Sequence, residues 1–116
     1  MANINELQRI STQVRRDIIR MVTNAKSGHP GGSMSSADFI TALYFDVMKH
    51  DPATWTRQGK GQDVFVLSAG HLTPMYYSIL SRAGYFPISE LSTFRLLGTR
   101  LQGHPCIETG LAGIVQ

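Results

Sequence analysis

The N-terminal part of the chain carries apolar side chains at a helical spacing. They recur every three or four positions: Ile4, Leu7, Ile10, Val14, Ile18 and Val22. Because an α-helix repeats every 3.6 residues, these side chains share one face. The pattern predicts a long amphipathic helix. It should end at residues 24–33, where one proline and three glycines predict a shaped loop.

Further helices are predicted from capping signals. The second should begin after Ser35, whose hydroxyl can cap it while Asp38 returns the contact, and run to about residue 49. The third should begin with Thr73 as N-cap and Pro74 in the first turn, and close near Gly84. A shorter helix is expected after residue 89, with three side chains turned inward: Leu91, Phe94 and Leu97.

One segment has the pattern of a buried β-strand. Residues 64–67 read Val-Phe-Val-Leu, a short apolar run typical of a strand covered on both faces in a parallel sheet. Such a strand needs neighbours, and only Ile114 and Val115 offer the beginning of another. We therefore expect residues 1–116 to form a single, incomplete unit, cut rather than finished.

Composition and charge narrow the function classes. The chain is 42% apolar with a net charge of +3, a profile typical of a globular protein. Its early arginines spread over the polar side of a helix without aromatic residues, so no nucleic-acid partner is predicted. No run is long enough for a membrane span or a signal sequence. A single cysteine, Cys106, excludes an internal disulfide and favours a reducing, cytoplasmic location.

Three short motifs place a histidine beside glycine. They contain His29, His71 and His104, and the last is followed by proline. Glycine lets a ligand approach the main chain, and imidazole can donate to phosphate or hydroxyl oxygens or move a proton near neutral pH. His71 is placed best, because it lies between the predicted strand and a helix N-terminus, where open α/β sheets bind ligands and anions are favoured.

Plainer interpretations stay open for each histidine taken alone. His29 and His104 fit ordinary loop residues, His71 fits a polar turn residue equally well, and His50 is predicted to be a plain turn residue. A zinc site is disfavoured, because the spacing matches no helix face or zinc finger and no carboxylate accompanies the histidines. No metal ligand is therefore assigned. Cys106 shows no sign of an activated setting for a nucleophile.

Taken in order, the motifs carry a family resemblance over nearly the whole chain. They are Ser-Gly-His-Pro-Gly-Gly at 27–32, Ala-Asp at 37–38, the run 64–68 with Gly70-His71, Phe-Arg at 94–95, and Gly-His-Pro at 103–105. Together they resemble the opening of transketolases, most closely the N-terminal subunit of split transketolases. The resemblance implies a partial three-layer α/β/α thiamine-diphosphate-binding fold with a parallel sheet, mostly helical in the portion present.

The resemblance also implies roles for the histidines. His29 matches a histidine that contacts the sugar and assists proton movements at the reacting carbonyl. His71, with Gly70 before it, matches the histidine that hydrogen-bonds the cofactor's diphosphate. His104 matches one between the diphosphate and the donor sugar. The implied reaction, typical of the pentose phosphate pathway, transfers a two-carbon ketol unit between ketose and aldose phosphates, with thiamine diphosphate and magnesium as cofactors.

Several family features are missing from these residues. Ala69 stands where many relatives have a polar residue, and the stretch from Glu108 to Gly113 only begins to resemble the family's pattern. The glycine-rich diphosphate loop, the Gly-Asp-Gly magnesium site and the pyrimidine-binding half are absent. The chain is thus expected to be inactive alone and to act as a homo-oligomer or with a C-terminal transketolase subunit. Alternatives are another family enzyme, such as the 1-deoxyxylulose-5-phosphate synthase or dihydroxyacetone synthase type, or a truncated, non-catalytic interaction module.

Overall fold

Helices form the frame of the molecule. The computed structural model describes residues 3–116, and within that range it contains α1 (Ile4–Ala25), α2 (Pro30–Ala42) and α3 (Thr73–Ala83), but no β-strand. A π-helical turn, Leu43–Val47, extends α2. Short 3-10 turns cover Gly70–Leu72, Ile88–Thr93 and Ile107–Thr109. None of the helices in 3–116 has the length and apolar character needed to cross a membrane.

Helix α1 confirms the prediction from hydrophobic spacing. The Asn3 side chain caps it by accepting a 2.8 Å hydrogen bond from the Glu6 amide. Val14 and Ile18 of the predicted stripe are buried, as is Met21, which was not assigned to it. Ile4 is 69% exposed, so the prediction was wrong for the start of the stripe. The helix ends before Lys26, which adopts the left-handed conformation at φ 54°.

Helix α2 begins five residues earlier than the predicted cap at Ser35, so that prediction was wrong. The chain turns at Gly28, whose φ of +135° favours glycine, and Pro30 then opens the helix, a position proline tolerates. Ser35 consequently lies inside α2, where its hydroxyl donates to the Gly32 carbonyl at 3.0 Å. The end predicted at about residue 49 agrees with the structure to within two residues, since the π-helical turn stops at Val47.

Helix α3 lies in the core of the molecule. Every residue from 73 to 81 is buried, so α3 has no solvent-facing side over these turns. It closes at Gly84, which takes the left-handed conformation at φ 103°, as predicted. The predicted N-cap at Thr73 was wrong: Leu72 precedes the helix, and the Thr73 hydroxyl bonds elsewhere.

The predicted strand at residues 64–67 is not confirmed within the described chain. Leu67 is buried, but Val64 and Val66 are 52% and 57% exposed, so the run is not covered on both faces. The Gln116 side-chain amide pairs with the Leu67 backbone: its oxygen accepts from the Leu67 N–H at 2.6 Å, and its nitrogen donates to the Leu67 carbonyl at 2.9 Å. One side chain thus satisfies backbone groups that a sheet neighbour would otherwise bond.

The segment after α3 packs its apolar residues unevenly. It forms the 3-10 turn Ile88–Thr93 rather than a longer helix. Leu91 and Phe94 are buried, as predicted, whereas Leu97 is fully exposed and the prediction for it was wrong.

A buried ion pair joins α1 to α3. Asp17 is 4% exposed, and its carboxylate accepts from Ser78 Oγ at 2.8 Å and from Arg82 Nε and Nη2 at 2.8 and 2.9 Å. The side-chain hydrogen bond to Asp17 raises the pKa of Arg82. Because a buried carboxylate is costly unless paired, this contact fixes the register of the two helices.

Replacing Asp17 should therefore cost far more than replacing a comparable surface carboxylate. We expect Asp17→Ala to lower the free energy of unfolding by about 2–3 kcal/mol, below the roughly 3–5 kcal/mol of fully buried pairs because Arg82 keeps partial solvent contact. The control is Asp38→Ala, whose exposed pair with Arg15 (2.9 Å) should contribute less than about 1 kcal/mol. Urea unfolding of both variants compares them, and equal losses would contradict the prediction.

Candidate functional site

The three glycine-flanked histidines come together at one end of the molecule. The rings of His29 and His71 are in edge-to-face contact, with centroids 5.0 Å apart and planes at 75°. His104 packs on Gly70: a Cβ built on this glycine would lie 2.7 Å from His104 Cδ2. All three imidazoles are exposed. We call His29, His71 and His104 the histidine cluster.

Two helix N-termini converge on the histidine cluster. His29 directly precedes α2, and His71 lies in the turn that leads into α3. The first turns of α2 and α3 can approach each other closely because Gly32 has no side chain at the point where Leu72 packs. The buried Ser33 hydroxyl also accepts a 3.4 Å hydrogen bond from the Met75 amide. Unpaired N–H groups give helix N-termini partial positive charge, so this arrangement favours an anion beside the imidazoles.

Helix α3 also holds the loop that carries His104. Thr73 Oγ1 donates to the Gly103 carbonyl at 2.8 Å, and the Tyr77 hydroxyl donates to the Gln102 carbonyl at 2.6 Å. Burial raises the pKa of Tyr77, which keeps its phenol protonated and able to donate. The positioning roles of Thr73 and Tyr77 were missed from sequence, because their partners lie 30 and 25 residues away.

Chemically, the histidine cluster suits oxygen-rich anions. Imidazole nitrogens can donate to phosphate oxygens or exchange protons with hydroxyl groups. Within residues 3–116, no group of three or more His, Cys, Asp or Glu side chains is arranged to hold a metal ion, and Cys106 is a half-buried free thiol. The cluster can thus contact an anion directly but supplies no acidic metal ligand.

His50 lies apart from this cluster and has a structural role. Its Nε2 donates to the Tyr44 carbonyl at 2.6 Å, which leaves Nδ1 to accept from the Tyr85 hydroxyl at 2.6 Å in the neutral ring. The rings of His50 and Tyr85 also stack, with centroids 5.7 Å apart. The histidine predicted to be a plain turn residue therefore ties the end of the α2 segment to the residues after α3.

Comparison with known proteins identifies the class. Residues 7–114 match the family model described as "Transketolase, thiamine diphosphate binding domain". The structure superposes on a transketolase from Leishmania mexicana with a TM-score of 0.85 and 31% sequence identity, over 98% of this chain and 16% of that one. The fold is accordingly that of the N-terminal α/β region of thiamine-diphosphate-dependent transketolases.

Curated proteins of similar sequence are also transketolases. A transketolase from Buchnera aphidicola is 41% identical over 104 residues, which are 87% of this chain and 15% of that protein. An apulose-4-phosphate transketolase subunit from Actinobacillus succinogenes is 33% identical over 102 residues, covering 87% of this chain and 36% of that protein. The chain belongs to the transketolase family and corresponds to part of its N-terminal, thiamine-diphosphate-binding domain. It spans about a seventh of the length of the full transketolases it matches.

The contact between Gly70 and His104 gives a test of the site geometry. We expect Gly70→Ala to displace the His104 ring, because the added Cβ would lie 2.7 Å from its Cδ2. The NMR signals of the His104 ring should shift, while those of His50 stay in place. Gly31→Ala is the matched control: among residues 3–116, a Cβ built there meets no atom within 4 Å apart from its chain neighbours and the backbone of its own helix. An unchanged His104 signal in Gly70→Ala would show that the loop lies elsewhere.

Proposed function

We propose that this chain supplies the histidine cluster of a transketolase-type active site and holds the diphosphate of thiamine diphosphate there. The observation that carries the proposal is the convergence of two helix N-termini on three exposed imidazoles. Such a site offers main-chain N–H groups and imidazole donors to one anion. Gly70 supports this fit, because its missing side chain leaves the room that His104 occupies.

The three histidines take separate roles in this proposal. His71, before the first turn of α3, donates to a diphosphate oxygen. His29 contacts the sugar and exchanges protons with the oxygen of its reacting carbonyl. His104 lies between the diphosphate and the hydroxyl groups of the donor sugar. The loop before it is held by Thr73 and Tyr77. Thiamine diphosphate, when bound, supplies the electron sink for carbon–carbon bond cleavage.

The proposed activity requires more protein than residues 1–116. The sequence contains no Gly-Asp-Gly motif, so the magnesium ligands are proposed to come from outside these residues, as is the pyrimidine-binding half. These residues alone, as one unit of the diphosphate-binding domain, are proposed to be inactive. The exposed Val64 and Val66 would then be covered by neighbouring strands of a parallel sheet.

The reaction we propose is transfer of a two-carbon ketol unit between sugar phosphates in the cytosol. The likeness to the Actinobacillus protein, which is named as one subunit of a transketolase, supports a split enzyme. In such an enzyme this N-terminal part would join a C-terminal subunit, and the pair would form oligomers. The reducing setting is supported by the single, free Cys106. A 1-deoxyxylulose-5-phosphate synthase type of activity would use the same diphosphate contacts and differ in the sugar that is accepted.

Cofactor binding tests the proposal in two settings. Calorimetric titration of the 116-residue chain with thiamine diphosphate and magnesium should give no saturable heat. A chimera, in which this chain replaces the matching N-terminal segment of a full-length bacterial transketolase, should bind both. In the chimera we expect His71→Ala to raise the cofactor dissociation constant more than about tenfold, the loss of one charge-assisted hydrogen bond. His29→Ala should instead lower kcat with little change in cofactor affinity.

The control variant in the chimera is His50→Ala. Within residues 3–116 this histidine forms hydrogen bonds with Tyr44 and Tyr85, away from the histidine cluster, so its loss should lower thermal stability and leave cofactor affinity unchanged. Native cofactor affinity in His71→Ala, in a folded chimera, would refute the role assigned to His71. Tight binding by the 116-residue chain alone would refute its dependence on further protein.

A further inference from the structure

A cavity lies between α1 and the 3-10 turn Ile88–Thr93, away from the histidine cluster. It has a volume of about 370 Å³, and none of its lining residues belongs to the histidine cluster or holds it in place. That volume lies at the lower end of the range for small-molecule sites, roughly 300–1,000 Å³. The cavity is therefore large enough for a compact ligand with a single ring or a short chain.

The cavity walls divide into an apolar part and a cationic part. Met21 and Leu91 are buried apolar residues that face it, and Ile88 lies at its edge with 45% of its surface exposed. Arg20 and Arg82 line the cavity together with the carboxylate of Asp17. A ligand in this space would meet a hydrophobic surface and positive charge at the same time.

The charges of this cavity do not cancel. Asp17 is the one carboxylate among the lining residues, and Arg82 already engages both of its oxygens. Arg20 is 60% exposed, and its nearest approach to Asp17 is 3.9 Å, too long for a hydrogen bond. Two guanidinium groups against one carboxylate leave one positive charge, carried mainly by Arg20.

We propose that this cavity binds a small amphipathic carboxylate, whose anionic head pairs with Arg20 and whose apolar body packs on Met21, Ile88 and Leu91. The outer edge of the Arg82 guanidinium offers a further donor, because Nε and Nη2 face Asp17 and Nη1 is on the other side. A neutral ligand would gain only the apolar contact, and a cation would be repelled by Arg20. The site is independent of the proposed ketol transfer.

Benzoate is a suitable probe, with benzamide as its neutral counterpart of the same shape. NMR titration of the 116-residue chain at constant ionic strength should give saturable shifts of the Met21 and Ile88 methyl signals. The expected benzoate dissociation constant is about 1–10 mM for so small a ligand. Benzamide should bind at least about fivefold more weakly, since it cannot form the charge-assisted hydrogen bond.

Arg20→Gln is the decisive variant. Its exposed side chain is not needed for the core, and we expect benzoate binding to weaken at least about fivefold in a protein whose spectrum is otherwise native. Arg9→Gln is the matched control, because Arg9 is an exposed arginine three turns earlier on α1 and should leave binding unchanged. Ser89→Trp, at the cavity wall, should abolish binding by filling the space.

Three results would overturn the proposal. Methyl shifts that stay linear throughout the titration would show that the cavity binds no carboxylate. Equal affinity for benzoate and benzamide would remove the role of charge. Unaltered benzoate binding in Arg20→Gln or in Ser89→Trp would place the ligand somewhere else. None of these results bears on the histidine cluster, which can be probed separately by the cofactor.

Discussion

Burial of α3 from Thr73 to Ser81 is the constraint on which the rest of the structure depends. A helix with no solvent-facing side must find a protein partner for each polar side chain, because an unsatisfied buried group costs about 1–3 kcal/mol. Ser78 meets this need with Asp17 of α1, whereas Thr73 and Tyr77 reach backbone carbonyls in the loop before His104. Tyr76 donates to the Gly113 carbonyl near the C-terminus. The hydrogen bonds that stabilise the buried helix therefore also position three other segments around it.

The candidate site is a consequence of this packing. The first turn of α3 lies against the start of α2, where Gly32 admits Leu72 and Ser33 accepts from the Met75 amide. His29 and His71 stand at these two helix starts, so packing of the helices brings the two rings together. Because the anchors of the His104 loop are on the same helix, α3 assembles all three histidines. The geometry of the candidate site thus depends on the packing of the helices beneath it.

Local signals in the sequence predicted local structure well. The helix at α1 and the left-handed Gly84 could both be read from neighbouring residues, whereas the functional importance of the three glycine-flanked histidines stays a prediction. The start of α2 was placed too late because Ser35 looks like a good cap, although the sharp turn at Gly28 lets Pro30 open the helix first. The turn at Gly28, rather than the capping propensity of Ser35, therefore determines where α2 begins.

Contacts between distant residues could not be predicted in this way. Asp17 and Arg82 are 65 positions apart, and the roles of His50 and Tyr77 depend on partners that only the folded chain brings near. The run at 64–67 has the composition of a buried strand, yet a strand exists only where another backbone bonds to it, and here the Gln116 side chain takes one such position. The same apolar run is thus left half exposed.

The assembly of the histidine cluster is the central claim, and nuclear Overhauser effects between imidazole protons test it most directly. In the folded chain with selectively labelled histidine and glycine, cross-peaks should join the rings of His29 and His71, and others should join the Gly70 α-protons to the His104 ring. Their presence would establish the arrangement from which the proposed diphosphate site follows. A well-folded chain that lacks these cross-peaks would contradict it, because the three histidines would then not share one site.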